Sequence, residues 1–475
     1  MSSISAYGAY IPKRRLPLPL IGGRPATPGA PEKAVAGFDE DTITMAVAAG
    51  SDCLAGTERS VVDELYFAST TSPYTEKQSA AVIAKALNLR DDAHTVDFSG
   101  SLRAAGAALS AAFNAVSASP DKTVLVVASD SRLAAPGSPL EQNFGDAAAA
   151  FLVSSEGLVS FDDCFSVNRE MYDIWQGSRD RHVQSWEERF VVKHGYNEAV
   201  RDAVCGLLDK LDGTISDYAH LACYGPDKRS HRAMTSMLGL NAGQVADPLF
   251  GRVGNCGTAF APLLLVQALE QAKAGERILA VFYGDGAQAL SLTVTDQLLP
   301  GRRPLDWQLN NRQAVRSYQS YLVSRNLDAN ADDRQASGGI SATVHFRERD
   351  ADIGFIGARC NQCDTQQFPA TRVCYGCFAK DQFTDVPLSA LTGRVLSYTK
   401  DFFFPSSDPP VIAGMCEVDG GARVYLQMAD SQDCELRCDL PVEFVFRKIH
   451  QAGGKPAYFW KSRLLDQTPE ESTNG

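Results

Sequence analysis

Long apolar runs, basic charge and cysteine are all scarce in this 475-residue sequence. No window reaches the roughly 18 continuous apolar residues of a membrane span, and the N-terminus lacks the apolar run of a signal peptide. The formal net charge of −12 argues against a nucleic-acid backbone or an anionic membrane as the main partner. Twelve cysteines are a low density for so long a chain, so we expect a reducing, cytoplasmic setting.

What the sequence does contain is a small-residue stretch at residues 96–119, VDFSGSLRAAGAALSAAFNAVSAS. It predicts a strand, a tight turn and a helix, with Ser101 as the N-cap. A helix with so little bulk and only Arg103 charged belongs inside a domain. Its free N–H groups would point at a pocket and favour a thiolate or an oxyanion there.

The second half of the sequence repeats this plan at residues 254–285. Ser101 precedes Asp130 by 29 positions, and Asn255 precedes Asp285 by 30. Both segments read as a turn, a buried helix, a short polar loop and an apolar strand that ends in Asp. With the alternation of strands and helices on either side, this pattern favours an internal duplication with both helix starts at one central pocket.

Between residues 310 and 354 the pattern weakens. Residues 313–326 are predicted to form an amphipathic helix, and residues 328–339 a polar connector.

The most specific motif is a pair of Cys-x-x-Cys knuckles, formed by Cys360 with Cys363 and Cys374 with Cys377. Two knuckles complete a tetrahedral sulfur site for zinc. A redox dithiol or disulfides are the alternatives, but the first usually adjoins a βαβ pattern and the second does not suit the compartment. Four thiolates leave no open coordination position, so we expect one structural zinc per chain and no catalysis by the metal.

After the knuckles, five short strands are predicted at residues 393–399, 410–418, 422–428, 442–448 and 457–464, which fits a small OB-type β-barrel. An OB barrel beside a zinc ribbon could bind single-stranded nucleic acid. Residues 346–475, however, hold 14 Lys and Arg against 18 Asp and Glu and show no basic–aromatic stripe. The sequence therefore does not favour that function.

Several motifs resemble the HMG-CoA synthase/ketoacyl synthase III branch of the thiolase superfamily. They are DEDTITMAV at 39, FASTTSPY at 67, VLVVASD at 124, FGDAAAAFLV at 144, SWEERF at 185 and VGNCGTAF at 253. Residues 355–465 resemble the zinc-ribbon/OB-fold partner of thiolases and acyl-CoA hydratases.

The resemblance implies a duplicated five-layer α-β-α-β-α fold, followed by the ribbon and the barrel. The expected divisions are 1–165 and 166–345 for the thiolase-like halves, 346–380 for the ribbon and 381–468 for the OB domain. It also implies a homodimer, CoA-thioester substrates and chemistry that makes or breaks carbon–carbon bonds.

The family's catalytic residues are replaced at three positions. Leu102 stands where the family has its nucleophilic Cys, Thr70 where it has a Glu, and Tyr224 where it has a His. Only the family's Asn remains, as Asn255. A chain with Leu102 cannot form the family's acyl-cysteine.

Four polar residues of this sequence are candidates for catalysis. Asp285, in a Gly-rich loop that in the family faces the nucleophile, would act as a base if the pocket desolvates its carboxylate. Tyr224 would exchange a proton with a hydroxyl, and Asn255 would hold a thioester oxygen. Ser101 is a hydroxyl near the lost Cys. The structural alternatives are a turn residue for Asp285, core packing for Tyr224, and caps or turns for Asn255 and Ser101.

A pocket that keeps thioester recognition without the nucleophile suits retro-aldol cleavage of a β-hydroxyacyl-CoA, which needs only acid–base chemistry. Two alternatives stay open. One is a Claisen-type acyltransferase that uses Ser101 or a cysteine such as Cys256. The other is a non-catalytic subunit that binds acyl-CoA or stabilises another thiolase.

Overall fold

The computed structural model describes residues 2–295, 303–328, 341–452 and 455–466. The chain divides into two compact units. The first comprises Met1–Ala36, Asp41–Ala84 and Leu89–Tyr318, and the second comprises Gly37–Glu40, Lys85–Asn88 and Gln319–Gly475. Two short N-terminal segments therefore belong to the second unit. No helix within the described ranges is both long and apolar enough to cross a membrane.

The strands of the first unit lie mostly in one large mixed sheet. In chain order they are β1 (Ser3–Tyr10), β2 (Arg14–Pro17), β3 (Glu32–Ala34), β4 (Glu64–Ala68), β5 (His94–Phe98), β6 (Val124–Asp130), β7 (Ala147–Ser154), β8 (Val159–Asn168), β9 (Ile174–Trp175), β10 (Gln184–Ser185), β11 (His220–Cys223), β12 (Arg277–Tyr283), β13 (Gly286–Val294) and β14 (Gln313–Ala314). The large sheet has the order β11-β12-β13-β8-β1-β7-β6-β4-β5.

The helices in this part of the sequence connect those strands. They are α1 (Leu18–Ile21), α2 (Thr42–Cys53), α3 (Ser79–Ala86), α4 (Ala104–Ala118), α5 (Pro139–Asn143), α6 (Glu188–Phe190), α7 (Glu198–Lys210), α8 (Lys228–Met237), α9 (Phe260–Gln271), α10 (Leu305–Asn310) and α11 (Tyr318–Ser324). A π-helical segment, Val191–Asn197, joins α6 to α7.

The large sheet consists of two halves with the same pairing. In the first half β4 is parallel to β6, and β7 is antiparallel to both β6 and β1. In the second, β11 is parallel to β12, and β13 is antiparallel to both β12 and β8. Strand β5 lies parallel to β4, and a parallel bridge from Val245 to Leu221 takes the corresponding place beside β11. The predicted duplication is confirmed.

Helices α4 and α9 form the middle of five layers. Helix α4 contacts β4 and β6 of one half and β12 of the other, and α9 contacts β11, β12 and β7. Helix α2 covers β1, β6 and β7, while α7 covers β8, β12 and β13. The small residues of α4 permit this packing, because a Cβ on Gly106 would come within 2.8 Å of the Phe282 ring. The predicted α-β-α-β-α arrangement is confirmed.

The start of α4 differs from the prediction. The helix begins at Ala104, and Arg103 occupies the N-cap position without a side-chain hydrogen bond. Ser101 is therefore not the cap, because Leu102 and Arg103 form a turn before the helix. The hydroxyl of Thr258, from the other half, accepts a hydrogen bond of 3.0 Å from the Ala105 N–H instead.

The second unit contains a helix and two sheets. Its elements are α12 (Ala342–Asp352), β15 (Ile356–Cys360), β16 (Gln366–Gln367), β17 (Phe383–Pro387), β18 (Gly393–Asp401), β19 (Val411–Val418), β20 (Arg423–Gln427), β21 (Pro441–Ala452) and β22 (Lys455–Leu464). The first sheet has the order β16-β15-β17, and the second has the order β20-β19-β18-β21-β22.

The five-stranded sheet is strongly curved. A parallel bridge from Met428 to Ser462 joins the end of β20 to β22, the two edges of the sheet. Around the resulting ring the strands therefore follow the order β18, β19, β20, β22 and β21. This is a partly open OB-type arrangement, and the described strands do not pair along its whole closing edge.

The connecting region was predicted incorrectly in part. Residues 313–326 are not one helix, because β14 and the short helix α11 share that range. Of the predicted connector, residues 329–339 lie outside the described residues. Helix α12, which follows, was not predicted; it has no buried residue, and it exposes Val344 and Phe346 among polar side chains.

Candidate active site

Two adjoining cavities in the first unit contain most of the predicted catalytic residues. The cavity that we call the Asp285 cavity has a volume of about 280 Å³ and includes Ser101 and Asp285 in its wall. The second, the Tyr224 cavity, has a volume of about 310 Å³ and includes Tyr224 and Asn255. Leu102 lies in the wall of both. The turns before α4 and α9 therefore meet at one site, as the duplication predicted.

Leu102 occupies the junction between the two cavities. Its side chain is buried, at 8% exposure, directly before α4. The adjoining loop comes very close, since a Cβ on Gly284 would lie 2.7 Å from Ser101 Oγ and 2.9 Å from the Leu102 nitrogen. Among the described residues, the walls of these two cavities contain no cysteine.

Tyr224 and Asn255 form a hydrogen-bonded pair. The Asn255 amide donates to the Tyr224 hydroxyl and to the Gly225 carbonyl, both at 3.0 Å. Its Oδ1 accepts from the Gly257 N–H at 2.9 Å, so Asn255 also caps the turn before α9. Both amide protons thus have acceptors within the chain, and that Asn255 holds a thioester oxygen stays a prediction. Asn255 leaves the Tyr224 O–H proton free to donate.

The backbone around Tyr224 is fixed by a second tyrosine. The Tyr196 hydroxyl donates to the Tyr224 carbonyl at 2.7 Å. Burial raises the pKa of Tyr224, an effect that the positive charge of Arg132 and the Asn255 N–H partly offset. The Tyr224 hydroxyl therefore stays protonated at neutral pH.

Asp285 lines its cavity as predicted, but it is not desolvated. The residue is exposed, in a turn with φ of 51° between two glycines. It lies in the tight turn between β12 and β13, outside both buried strands, and the expected burial is absent. The expected burial of Asp285 is therefore wrong, whereas the residue does line the cavity.

Asp173 is a functional candidate that the sequence argument missed. It lines both cavities, just before β9, and its Oδ2 accepts a 2.7 Å hydrogen bond from the Tyr283 hydroxyl. Burial raises the pKa of Asp173, while the hydrogen bonds from Tyr283 and the Ile174 N–H oppose the shift. Burial also raises the pKa of Tyr283. No motif surrounds Asp173, so only the folded hairpin of β9 and β10 brings it to the site.

The cysteine proposed for the acyltransferase alternative is inaccessible. Cys256 is fully buried, and burial raises the pKa of its thiol far above the ordinary value. A thiol without thiolate character is a poor nucleophile. Ser101 does line the Asp285 cavity, with its Oγ beside the start of α4.

The four cysteines of the second unit form a compact cluster. The Sγ atoms of Cys360, Cys363, Cys374 and Cys377 all lie within 4.8 Å of one another. The Cys360–Cys377 and Cys363–Cys374 Sγ pairs are each 3.6 Å apart. Zn–S bonds of about 2.3 Å in a tetrahedron place sulfurs about 3.8 Å apart, so the cluster fits a structural zinc.

Comparison with solved structures defines the fold. A crystal structure of HMG-CoA synthase complexed with CoA matches with a TM-score of 0.63 and 21% identity, over 72% of this chain and 94% of that one. The 3-oxoacyl-(acyl carrier protein) synthase III FabH of Pseudomonas aeruginosa matches with a TM-score of 0.56 and 21% identity, over 63% and 99%. The fold is thiolase-like.

Sequence relatives define the family. The hydroxymethylglutaryl-CoA synthase of Pyrococcus horikoshii is 30% identical over 334 residues, which is 68% of this chain and 95% of that protein. That of Aeropyrum pernix is 31% identical over 328 residues, 66% of this chain and 91% of that protein. This chain belongs to the hydroxymethylglutaryl-CoA synthase family. Residues 347–382 match the family described as ChsH2, rubredoxin-like zinc ribbon domain, which confirms the predicted fusion.

Proposed function

We propose that this chain is an acyl-CoA lyase that cleaves a carbon–carbon bond of a β-hydroxyacyl-CoA by a retro-aldol reaction. The observation that carries the proposal is Leu102 at the junction of two cavities whose walls contain no cysteine. A family that works on acyl-CoA carbon–carbon bonds would here act without an acyl-enzyme. Retro-aldol cleavage is the reaction of that kind that needs only proton transfer and an oxyanion donor.

Tyr224 is proposed as the oxyanion donor. Its O–H proton is free because Asn255 donates to its oxygen, and Tyr196 fixes its backbone. When the carbon–carbon bond breaks, the electron pair moves into the thioester and forms an enolate. A preorganised hydroxyl stabilises that charge most where water is excluded, and Tyr224 is 3% exposed.

Asp173 is proposed as the base, in preference to the predicted Asp285. Asp173 takes the proton of the substrate hydroxyl, the bond breaks to a carbonyl and an enolate, and the same proton then goes to the enolate carbon. The raised pKa of Asp173 and its hydrogen bond from Tyr283 suit a group that both accepts and returns a proton. Asp285 shares the cavity wall, but it lacks comparable burial.

Matched amide variants test the base. We expect Asp173→Asn to lower turnover of a panel of 3-hydroxyacyl-CoA thioesters by about 10²–10⁴, with release of the shorter acyl-CoA followed by chromatography. Asp285→Asn should retain most activity. The reverse result would make Asp285 the base. If wild-type protein cleaves no member of the panel, or both variants cleave as fast as wild type, the retro-aldol proposal fails.

One observation favours an acyltransferase as the second candidate: Ser101 Oγ lies in the cavity wall beside the start of α4. An acyl-serine would form by transfer of the acyl group from CoA with release of the free thiol. Intact mass after incubation with acetyl-CoA separates the two functions. The lyase predicts an unchanged mass, whereas an increase by one acyl group that disappears in Ser101→Ala would establish the acyltransferase.

A further inference from the structure

The two cavities of the candidate active site differ in the charges of their walls. Among the described residues, the wall of the Tyr224 cavity contains the three carboxylates of Asp173, Glu188 and Asp227 and no lysine, arginine or histidine. The wall of the Asp285 cavity contains a buried cation, Arg132, which is 4% exposed, beside Asp173 and Asp285. Because like charges repel, an anionic group of a ligand is disfavoured in the Tyr224 cavity relative to the other one.

Much of the remaining wall of the Tyr224 cavity is apolar. Its aliphatic side chains include Leu140, Ile174, Val183, Val191 and Val192. The two consecutive valines begin the π-helical segment, and single π-helical turns are frequent at functional sites. The volume of about 310 Å³ equals roughly ten water-sized volumes. The cavity therefore has space for an uncharged alkyl group of several carbons.

The proposed reacting groups lie where the two cavities meet. Asp173, the proposed base, lines both of them. Tyr224, the proposed oxyanion donor, lines one cavity, and its hydroxyl accepts a hydrogen bond from Arg132, which lines the other. A β-hydroxyacyl-CoA that reacts at this boundary has one cavity on each side of the bond that breaks.

We propose that the Tyr224 cavity holds an uncharged, mainly apolar substituent of the substrate's β-carbon, while the CoA arm with its anionic phosphates extends through the Asp285 cavity. This inference rests on the proposed lyase function and names its substrate class, a 3-hydroxyacyl-CoA with an alkyl group at C3. Cleavage of the C2–C3 bond leaves a neutral aldehyde or ketone in the apolar cavity and a shorter acyl-CoA in the other. Such a substrate differs from a hydroxymethylglutaryl thioester, whose acyl end is a carboxylate.

Equilibrium binding of matched thioesters tests the cavity. Octanoyl-CoA and suberyl-CoA have the same chain length and differ in the terminal carboxylate; neither has a β-hydroxyl, so neither undergoes retro-aldol cleavage. We expect the full-length protein to bind octanoyl-CoA about 10- to 100-fold more tightly by calorimetry, because the carboxylate would be buried without a cation. From butyryl-CoA to octanoyl-CoA, the affinity should rise about fourfold per added methylene.

A change of wall size tests which cavity the alkyl chain occupies. Ala135 lines the Tyr224 cavity but is exposed, so Ala135→Phe fills space without overpacking the core. We expect this variant to bind octanoyl-CoA about tenfold more weakly than wild type and to keep its affinity for acetyl-CoA. Ala118→Phe, at an exposed position outside both walls, is the matched control and should bind both thioesters like wild type.

A change of wall charge tests the selectivity. Glu188→Gln removes an exposed carboxylate from the wall of the Tyr224 cavity. At low salt we expect it to raise the affinity for suberyl-CoA about two- to fivefold and to leave that for octanoyl-CoA unchanged. Glu187→Gln, which changes the exposed neighbour outside both walls, is the matched control and should bind suberyl-CoA like wild type.

Four results would overturn the inference: equal or tighter binding of suberyl-CoA by wild-type protein, an affinity that does not rise with chain length, an unchanged octanoyl-CoA affinity in Ala135→Phe, or equal suberyl-CoA affinity in the Glu188 and Glu187 variants. The expected binding in a protein that cleaves no 3-hydroxyacyl-CoA would instead keep the apolar cavity and reject the lyase. Equal cleavage of 3-hydroxyacyl-CoA thioesters with alkyl and carboxyalkyl groups at C3 would keep the lyase and reject this inference. The two proposals can therefore fail separately.

Discussion

Asp130 is the residue on which the loop of residues 69–71 depends. Its carboxylate is fully buried and accepts hydrogen bonds of 2.7 to 3.0 Å from Ser69 Oγ, Thr70 N and Oγ1, Thr71 Oγ1 and Thr258 N. Asp130→Asn would place an amide N–H₂ among these donors. We expect it to lower the free energy of unfolding by about 2–4 kcal/mol, because buried donors lose their acceptor.

Thermal and urea unfolding of the purified protein measure this change. Asp92→Asn is the control, since Asp92 is an exposed carboxylate paired with Arg90 at 2.8 Å, and exposed pairs contribute little. An Asp130→Asn protein that unfolds with the wild-type midpoint would show that the loop does not need the carboxylate.

At the level of single residues, sequence reasoning predicted which residues line the cavities better than it predicted the surroundings of each side chain. Tyr224, Asn255, Ser101 and Asp285 all line the cavities, because a resemblance of motifs fixes positions along a shared fold. The hydrogen bonds that saturate Asn255 and the exposure of Asp285 depend on side-chain directions, which no spacing reports. Asp173 comes from a hairpin without a motif, so its contact with Tyr283 could be found only from the folded chain.

At the level of elements, apolar periodicity and residue spacing were sufficient to predict the strongly patterned strands and helices. The two halves of the large sheet, the ribbon and the OB strands were predicted from apolar runs and from the cysteine spacing. Weakly patterned elements were not: the short helix α11 and the polar helix α12 carry little amphipathic signal. The boundary of α4 was misplaced because Ser101 is a common cap residue that here precedes an additional turn.

The ribbon is the element with the sharpest prediction. We expect one zinc per chain, and we expect Cys363→Ser to release it and unfold residues 356–387, because a ribbon and its metal form together. Elemental analysis of the purified protein measures the metal. Cys205→Ser, which changes an exposed cysteine of α7, should keep a full complement. Wild-type protein that contains no zinc, or iron alone, would contradict the assignment.

At the level of the whole molecule, a buried network of charges joins distant parts of the sequence within the second unit. Lys461 Nζ lies 2.9 Å from Asp39 Oδ2, across 422 residues of sequence. Arg447 Nη2 lies 3.1 Å from Glu40 Oε1 and 3.2 Å from Asp430 Oδ2. Burial raises the pKa of Glu40, and the charge of Arg447 opposes that rise. A linear sequence pattern does not reveal such pairings, so the inclusion of Gly37–Glu40 in the second unit was not predicted.

This network predicts that the second unit depends on one arginine. Arg447 is 1% exposed, and Arg447→Met would keep much of its volume while leaving the carboxylates of Glu40 and Asp430 without that cation. Breaking a buried pair by removing one partner costs about 3–5 kcal/mol, so we expect a clearly lower thermal midpoint with unchanged zinc content in the folded protein. Arg437→Met, at an exposed position of the same unit, is the matched control and should unfold like wild type. If the Arg447 and Arg437 variants unfold at the same temperature, the network does not stabilise the unit, and packing of β18 to β22 alone must hold Gly37–Glu40 in place.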